Sequence, residues 1–272
     1  MISVLLCIYK EDISIIQKAI SSILNQTYQD FELVAVVDNP EHEVAIKYLL
    51  ELSKKDKRVK YHVNEKNIGL ANALNVGLGL ASGEYIARMD ADDISMLDRF
   101  EKSLSFLNEH NLDLIGGVYE IIDENDNIIP NSMTKSYSKE QTEQILKFTN
   151  IVPHPTWFAK KSVFDKLKGY RNIKYAEDYD FLLRALEEDV KIAVFDQKVL
   201  NYRRSSEGIS RSHLYKQYLM SCYLSHCFGH LSSLNQDYIN ENAFANYSLK
   251  KEKKYTRNAS CCRPCRLRRC SP

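Results

Sequence analysis

Short apolar runs alternate with segments of helical periodicity over the first 90 residues, and no other feature of the sequence constrains the fold as strongly. The apolar runs predict strands at residues 2–8, 31–38, 58–63 and 84–90. In the intervening segments apolar residues recur every three or four positions, which predicts helices at residues 11–26, 41–55 and 69–82. Strands that alternate with helices form parallel sheets covered on both faces, so we predict an α/β fold with a Rossmann-like sheet.

A different pattern follows Ser95 and indicates a second half of the chain. It predicts a hairpin that turns near Asn125–Asn127, a helix that begins near Ala176, and two separate closing strands, "VKIAVF" and "VLNYRR". A mostly helical C-terminal segment is expected after these strands. We therefore divide the chain into four parts, residues 1–95, 96–212, 213–249 and 250–272.

The charged residues are distributed unevenly, although the formal net charge of the chain is only +1. Residues 250–272 contain nine Lys or Arg and one Glu, and we predict that this basic tail is disordered. Four interpretations of the tail stay open: attraction to an anionic membrane, a zinc site formed by its four Cys, acylation of those Cys, and an extension without function. The balanced total charge gives no indication of a nucleic-acid partner.

The sequence predicts a cytoplasmic protein. No apolar run approaches the roughly 18 residues that a membrane-spanning helix needs. Cys7, Cys222 and Cys227 show no disulfide framework and suit reduced thiols. Peripheral attachment to the inner face of the plasma membrane through the basic tail is an open alternative.

Three aspartates, Asp90, Asp92 and Asp93, end the fourth predicted strand. A helix cap would explain one of them, and the spacing of a calcium-binding loop is absent. A divalent cation shared with a phosphorylated ligand would explain all three, because Mg²⁺ and Mn²⁺ prefer oxygen ligands. Asp38 ends the second predicted strand, and ligands of such sheets bind beyond the carboxyl ends of the strands. We therefore expect Asp38 and the three aspartates to meet in one crevice.

Several segments in this order resemble family 2 glycosyltransferases of the GT-A fold, from Ile2 to about Ser212. They are "SVLLCIYKE", "SILNQTYQDFELVAVVD", "NIGLANALNVGLGLASGEYIARMDADD", "DRF" and "AEDYDF". The family pattern N-x-G-x-x-x-A-x-N-x-G is matched by Asn67, Gly69, Ala73, Asn75 and Gly77. The resemblance implies a mixed GT-A sheet, a nucleotide-sugar donor, Mn²⁺ or Mg²⁺ as cofactor, and inversion at the anomeric carbon. It also implies that residues 1–95 bind the donor and that residues 96–212 bind the acceptor and carry the catalytic base.

The resemblance assigns donor-binding roles to residues of the first half. Asp38 is similar to the acid that accepts the uracil N3–H, although Asn39 and Pro40 replace the acid and glycine that usually follow it. Tyr9 resembles a base-contacting aromatic residue, and Asn67 is assigned to the nucleotide. A strand-end cap for Asp38 and simple packing for Tyr9 are the structural alternatives.

The resemblance assigns the metal and catalytic roles to acidic residues. Asp90 resembles the acid that faces the ribose or a metal-bound water, Asp92 the metal ligand, and Asp93 its support. Asp178 resembles the general base, and Glu177 orients it or meets the acceptor. The alternative for Asp178 is an acid placed at a helix N-terminus to interact with the helix dipole.

Four further residues are candidates without a motif of their own. His154, Trp157 and Arg203 are considered for contacts with the acceptor or the donor diphosphate, and each also has an ordinary packing or surface interpretation. Arg88, two residues before the acidic cluster, is expected to pair with an aspartate as a structural counter-ion.

The sequence thus predicts an inverting, metal-dependent hexosyltransferase. Its donor would be a UDP-sugar, and its acceptor a hydroxyl of a lipid-linked glycan in bacterial O-antigen (lipopolysaccharide) or capsule synthesis. A nucleotidyltransferase and a noncatalytic nucleotide-sugar-binding module are the alternatives. The former is disfavoured because "CIYKEDIS" lacks a Gly-rich basic loop for a triphosphate.

Overall fold

A computed structural model describes residues 1–204 and 213–243 of the chain. The strands are β1 Ile2–Ile8, β2 Phe31–Val37, β3 Val59–Val63, β4 Tyr85–Asp90, β5 Ile94–Ser95, β6 Leu114–Ile122, β7 Phe158–Lys160 and β8 Ile192–Arg203. The helices are α1 Ile13–Leu24, α2 Glu43–Lys55, α3 Leu70–Leu80, α4 Arg99–Glu109, α5 Lys139–Leu146, α6 Lys161–Leu167, α7 Glu177–Glu187 and α8 Leu214–Cys227. Short 3-10 helices occupy His154–Thr156 and Leu231–Ser233, and a further helix runs over residues 236–243.

The strands form one eight-stranded mixed sheet in the order β3-β2-β1-β4-β7-β6-β8-β5. The first four strands of this order run parallel, as the strand–helix alternation predicts, and β7 is antiparallel to both of its neighbours. Successive side chains of β1 point to opposite faces, so that Val4 and Leu6 enter one hydrophobic cluster and Leu5 enters the other. The predicted α/β class with helices on both faces and a helical C-terminal segment is confirmed. No helix of the described residues has the length and apolar character needed to cross a membrane.

One local prediction after Ser95 is wrong, and another is confirmed in part. The two closing strands are one continuous strand, β8, because register shifts between Gly117 and Tyr119 accommodate extra residues of β8 without ending it. The chain does turn back near Asn125–Asn127, with an antiparallel bridge between Ile122 and Ile128 and a hydrogen bond from the Ile129 amide to the Ile121 carbonyl at 2.8 Å, but within the described residues this returning arm forms no regular strand. The predicted tail at residues 250–272 and parts of the two preceding segments lie outside the described residues.

The Asn75 side chain joins the first half of the chain to the second. Its Nδ2 donates to the carbonyl of Tyr170 at 2.8 Å, and the Tyr170 amide donates to its Oδ1 at 2.8 Å. The preceding residue, Gly169, has φ +73°, and a Cβ atom there would collide with the same Asn75 oxygen. This reciprocal pair fixes the Tyr170 turn against α3, and glycine is required where the Asn75 side chain approaches the turn at positive φ.

The C-terminal helical segment is fastened to α7 by the Glu187 carboxylate. Oε1 accepts hydrogen bonds from the amides of Gly229 (2.7 Å) and Leu231 (2.9 Å), and Oε2 from the amide (2.8 Å) and hydroxyl (2.6 Å) of Ser232. At the other end of α7, Arg171 donates to the carbonyls of Leu231 (3.0 Å) and Leu234 (2.6 Å). The loop into α7 and the end of α7 therefore both depend on the C-terminal segment.

Replacing Glu187 with Ala is expected to lower the free energy of unfolding by about 1–3 kcal/mol, because three backbone N–H groups and a hydroxyl lose a charged acceptor. Burial would raise the pKa of Glu187, but the hydrogen bonds from Ser232, Leu231 and Gly229 outweigh it and hold the pKa below its usual value. The stabilisation is therefore present at neutral pH and is lost as the pH falls through this lowered pKa.

Urea unfolding of wild type and Glu187→Ala over a range of pH measures this effect. Glu188→Ala is the matched control, since Glu188 makes only a half-exposed ion pair with Lys166 at 3.1 Å. A difference between the two variants that stays constant into acid would contradict the assignment.

Candidate active site

The carboxyl ends of neighbouring parallel strands bring distant parts of the sequence to one crevice. Cys7 of β1 lies opposite Asp90 of β4, and the Asp38 amide donates to the carbonyl of Ile8 at 2.7 Å. Tyr9 and Asp38 therefore follow β1 and β2 directly, and Asp90 is the last residue of the adjacent strand β4. The first half of the predicted site is assembled by sheet register alone.

Asp38 is buried and supports the loop that leads into α3. Its Oδ1 accepts from Asn64 Nδ2 (2.8 Å) and the Ile68 amide (3.0 Å), and its Oδ2 from the Gly69 amide (2.9 Å). The Gly69 amide also lies 3.0 Å from Oδ1 of Asn67, which is exposed. Asp38 therefore caps the loop after its strand, as the structural alternative expected. Its hydrogen bonds position the loop that carries Asn67.

Tyr9 begins the β1–α1 turn and is 36% exposed. Its amide and that of Lys10 donate to Glu11 Oε2 at 2.6 and 3.1 Å, so Glu11 shapes the turn. Asn39 donates from Nδ2 to the Tyr9 carbonyl at 3.1 Å. Asn39, which replaces the second acid of the family pattern, therefore joins the loop after β2 to the loop after β1.

Asp90, Asp92 and Asp93 form a compact carboxylate cluster, with one oxygen of each within 4.8 Å of the others. Burial, followed by the charges of Asp90 and Glu11, raises the pKa of Asp92 to about 7. Burial and the charges of Asp90 and Asp92 raise the pKa of Asp93 well above its usual value. Asp93 Oδ2 is buried without a hydrogen-bond partner among residues 1–204 and 213–243. Clustered hard oxygen ligands with uncompensated charge fit a divalent cation.

Arg203 supports this cluster from the end of β8. Its amide donates to Asp93 Oδ1 at 2.9 Å, its Nε to the Asp92 carbonyl at 2.9 Å, and its Nη1 to the Asp123 carbonyl at 3.0 Å. Its Nη2 pairs with Asp126. Arg203 is 3% exposed, so the predicted contact with the donor diphosphate does not fit this arrangement. The structure makes Arg203 a support of the acidic loop.

Glu177 and Asp178 begin α7 and are half-buried. Asp178 accepts from Asn150 Nδ2 at 2.8 Å and from the Tyr179 amide at 2.7 Å. Burial raises the pKa of Asp178, and the Tyr179 amide and the charge of Arg88 oppose that rise. Burial and the Asp178 charge raise the pKa of Glu177 to about 7. The charge of Asp90 also raises the pKa of Glu177, so negative charge at the end of β4 acts on the first turn of α7.

Two buried arginines lie below the crevice. Arg88 pairs through Nη2 with Asp90 Oδ1 at 2.5 Å, which is the counter-ion contact expected from the sequence. Arg99, the arginine of "DRF", donates from Nη2 to the carbonyls of Arg88 (2.6 Å), Pro155 (3.1 Å) and Trp157 (3.4 Å). Arg99 therefore hydrogen-bonds only to backbone carbonyls in these contacts, whereas Arg88 forms an ion pair with the acidic cluster.

His154 and Trp157 belong to the core below the site. His154 is buried, and its Nε2 lies 2.9 Å from the Tyr170 hydroxyl. Burial and the Arg88 charge hold the pKa of His154 well below its usual value, so its ring is neutral. Trp157 is fully buried and donates from Nε1 to the Val152 carbonyl at 3.1 Å. The indole presents no exposed face, so the packing interpretation of Trp157 fits the structure and the contact considered with the acceptor or the diphosphate does not.

Three residues that contact the predicted site residues were not found from the sequence. Asn150 contacts Asp178, Glu11 shapes the Tyr9 turn, and Tyr170 contacts His154. Asn150 and Tyr170 lie in segments that match no motif quoted above. Glu11 lies within the quoted segment "SVLLCIYKE", so Glu11 alone of the three could have been selected from the sequence as a site candidate.

Comparisons with known proteins identify one family. The family model described as Glycosyl transferase family 2 matches residues 3–168. An uncharacterized glycosyltransferase of Methanocaldococcus jannaschii, MJ1057, is 32% identical over 224 residues, which are 82% of this chain and 77% of that protein. The O-antigen biosynthesis glycosyltransferase WbnJ of Escherichia coli is 35% identical over 217 residues, which are 79% of this chain and 84% of WbnJ.

Solved structures show the same fold at low sequence identity. S. aureus TarS in complex with UDP-GlcNAc matches with a TM-score of 0.67 and 18% identity, over 95% of this chain and 76% of that one. The mannosyltransferase PcManGT of Pyrobaculum calidifontis, in complex with GDP-Man and Mn²⁺, matches with a TM-score of 0.62 and 15% identity, over 96% of this chain and 76% of that one. The fold is therefore that of GT-A glycosyltransferases, and with a family model that covers more than half of its length the chain belongs to glycosyl transferase family 2.

Proposed function

We propose that this glycosyltransferase moves a hexose from a UDP-sugar, with inversion, to a hydroxyl of a lipid-linked glycan during bacterial surface-polysaccharide assembly. The observation that supports the proposal is the compact cluster of Asp90, Asp92 and Asp93, with one oxygen of each within 4.8 Å of the others, and the charge of Asp90 also raises the pKa of Glu177 at the start of α7. WbnJ, named for O-antigen biosynthesis, supports the acceptor class. The UDP-GlcNAc bound to TarS supports the donor class.

The donor side of the crevice would bind the nucleotide diphosphate. Asp92, with Asp90 and Asp93, would hold Mn²⁺ or Mg²⁺, which neutralises the negative charge that develops on the leaving diphosphate. Tyr9, exposed at the start of the β1–α1 turn, would contact the base. Asp38 Oδ2 accepts one hydrogen bond, from Gly69, and keeps capacity to accept the uracil N3–H.

The acceptor side supplies the base. Direct displacement at the anomeric carbon requires removal of one proton from the attacking hydroxyl, and Asp178 would take it. A raised pKa brings the proton affinity of Asp178 closer to the working pH, which favours general-base catalysis. Asn150 fixes one carboxylate oxygen of Asp178 at 2.8 Å. Glu177 would orient the acceptor hydroxyl from the neighbouring position.

The proposed acceptor places the enzyme in the cytoplasm at the inner face of the plasma membrane. A lipid-linked glycan is presented at a membrane surface, so peripheral binding is sufficient for access. Membrane contact through the basic tail stays a prediction, because residues 250–272 lie outside the described residues.

A panel of nucleotide sugars tests the donor and metal assignments. Hydrolysis of one UDP-sugar is expected with Mn²⁺ and is expected to disappear with EDTA or in Asp92→Ala. Asp196→Ala, at an exposed position of β8, is the control and should behave as wild type. Turnover that is equal in EDTA would exclude the metal role. Absence of both turnover and Mn²⁺-dependent UDP binding by calorimetry would overturn the proposed function.

Asp178→Asn tests the catalytic base. The substitution keeps the size of the side chain but removes its proton affinity, so kcat is expected to fall by about 10²–10⁴-fold. Calorimetric affinity for UDP with Mn²⁺ should change little, because Asp178 lies on the acceptor side. Asp165→Asn, at an exposed position of α6, serves as control. A loss of UDP affinity equal to the loss of kcat would place Asp178 on the donor side instead.

Asp92→Asn is expected to stabilise the metal-free protein at mildly alkaline pH, on the order of 1–3 kcal/mol. The folded-state pKa of Asp92 is raised to about 7, so ionisation costs more in the folded than in the unfolded chain. The penalty is absent below the unfolded pKa and grows as the pH rises toward and through about 7.

Thermal unfolding in EDTA and in Mn²⁺ measures this effect. The variant should melt above wild type in EDTA at mildly alkaline pH, match wild type in acid, and gain nothing from Mn²⁺. A variant that melts below wild type in EDTA would show that Asp92 is not a site of unbalanced charge.

A further inference from the structure

We propose that Asn150 is a positioning residue for the proposed base, whose side-chain amide holds the Asp178 carboxylate in one orientation by donating a hydrogen bond to it. The inference rests on the proposed function and adds to it a residue from a segment that matches no family motif. Asn150 lies between α5 and the 3-10 helix His154–Thr156, and both Asn150 and Asp178 are half-buried. The Asn150 Nδ2 atom donates to Asp178 Oδ2 at 2.8 Å.

The backbone that follows Asn150 fixes the direction of its side-chain amide. The Val152 amide donates to Asn150 Oδ1 at 3.0 Å, so the oxygen of the side chain is directed to Val152 and its NH₂ group to Asp178. If the side-chain amide were turned over, its NH₂ group would face the Val152 N–H and its oxygen would face a carboxylate, and both hydrogen bonds would be lost. Asn150 therefore acts on Asp178 as a donor.

Val152 is in turn held by the protein core. Its side chain is fully buried, and a Cβ atom at Gly116 of β6 would lie 2.7 Å from Val152 Cγ1. The Trp157 indole donates from Nε1 to the Val152 carbonyl at 3.1 Å, and two prolines restrict the backbone between Val152 and Trp157. The buried indole thus supports the segment that places Asn150 beside the proposed base.

The contact with Asn150 leaves the carboxylate able to take a proton. The Tyr179 amide donates to Asp178 Oδ1 at 2.7 Å, so each oxygen of Asp178 accepts one hydrogen bond from the chain. An ionised carboxylate has about four acceptor positions, so positions stay open for the acceptor hydroxyl. Donors on both oxygens restrict rotation of the carboxylate, and a base held in this way needs no reorientation when the hydroxyl arrives.

A purely structural role of Asn150 would depend on its hydrogen bond with the Val152 amide alone. Asn150→Asp separates the two roles, because it keeps the size of the side chain and an oxygen for Val152 but has no N–H group for Asp178. Asn150→Leu removes both hydrogen bonds and adds no charge. Asn25→Asp is the matched control: Asn25 is exposed at the end of α1 remote from the Tyr9 turn and donates to Ser21 Oγ at 3.2 Å.

In both Asn150 variants we expect kcat at neutral pH to fall by about 10–100-fold, the effect of one lost hydrogen bond to a charged group. The calorimetric affinity for UDP with Mn²⁺ should stay close to that of wild type. The acid limb of the pH profile of kcat should move to higher pH, because a donor that favours the ionised form of Asp178 is lost. The move should be larger in Asn150→Asp, which adds a like charge. Glu177 of α7, Arg88 of β4 and Tyr170 also act on Asp178 electrostatically and are unchanged in both variants.

A double-mutant cycle tests whether Asn150 acts through Asp178. Asn150→Leu should lower kcat in the wild-type background and have little further effect in Asp178→Asn, since the base is already absent there. Melting temperatures report the folding of every variant. If Asn150→Leu does not fold, the comparison of Asn150→Asp with Asn25→Asp decides.

Two outcomes overturn the inference: a kcat and an acid limb in Asn150→Asp that match those of Asn25→Asp, or an equal loss of kcat from Asn150→Leu in both backgrounds. Asp178→Asn with the kcat of wild type would instead overturn the assignment of the base. Wild type without metal-dependent UDP binding or turnover would overturn the proposed function. The three failures are therefore distinguishable.

Discussion

Repulsion among carboxylates at the end of β4 is the constraint on which the rest of the site depends. Asp90, Asp92 and Asp93 place three oxygens within 4.8 Å of one another, partly in the protein interior. Such an arrangement persists only if the surrounding structure fixes the backbone and supplies opposite charge. Arg203 fixes the backbone of the loop and Arg88 supplies a charge at 2.5 Å. Both arginines are buried, and neither would be required by the hydrophobic core alone.

The first four strands, the order of the motifs and the acidic cluster were predictable from sequence because they are local. Apolar runs and helical periodicity are properties of short segments, and the carboxyl ends of parallel strands meet by the rules of the sheet. Asp38 and Asp90 could thus be placed in one crevice before any coordinates. The roles of Arg203 and Trp157 could not, because Arg203 contacts Asp92 across 111 residues and Trp157 is enclosed by elements from several parts of the chain.

The errors in the second half have a related cause. An apolar run interrupted by "DQK" predicts two strands, but pairing of β8 with β6 tolerates the interruption as a bulge. Asn150, which orients Asp178, has a local signature only in its bond to the Val152 amide at 3.0 Å, and its contact with α7 depends on tertiary packing. The spacing of apolar residues indicates whether a segment is a helix or a strand. The β8–β6 pairing and the Asn150–Asp178 contact depend instead on how those elements pack.

The second half of the site is also held from outside the crevice. Asp180 is fully buried between Arg171 and Arg184, and Arg171 continues to carbonyls of the C-terminal segment. The loop that delivers Glu177 and Asp178 is therefore fixed by the α7 core and by residues 231–234. A segment without any motif of its own thereby determines where the proposed base lies.

The same burial that destabilises the acids prepares them for chemistry. A carboxylate in water has a low proton affinity and is a weak base at neutral pH, whereas burial raises the pKa of Glu177 to about 7 and that of Asp178 above its usual value. The charge of Arg88 opposes this rise in both residues. Burial raises the proton affinity of the proposed base, and the buried cation limits how far that effect goes.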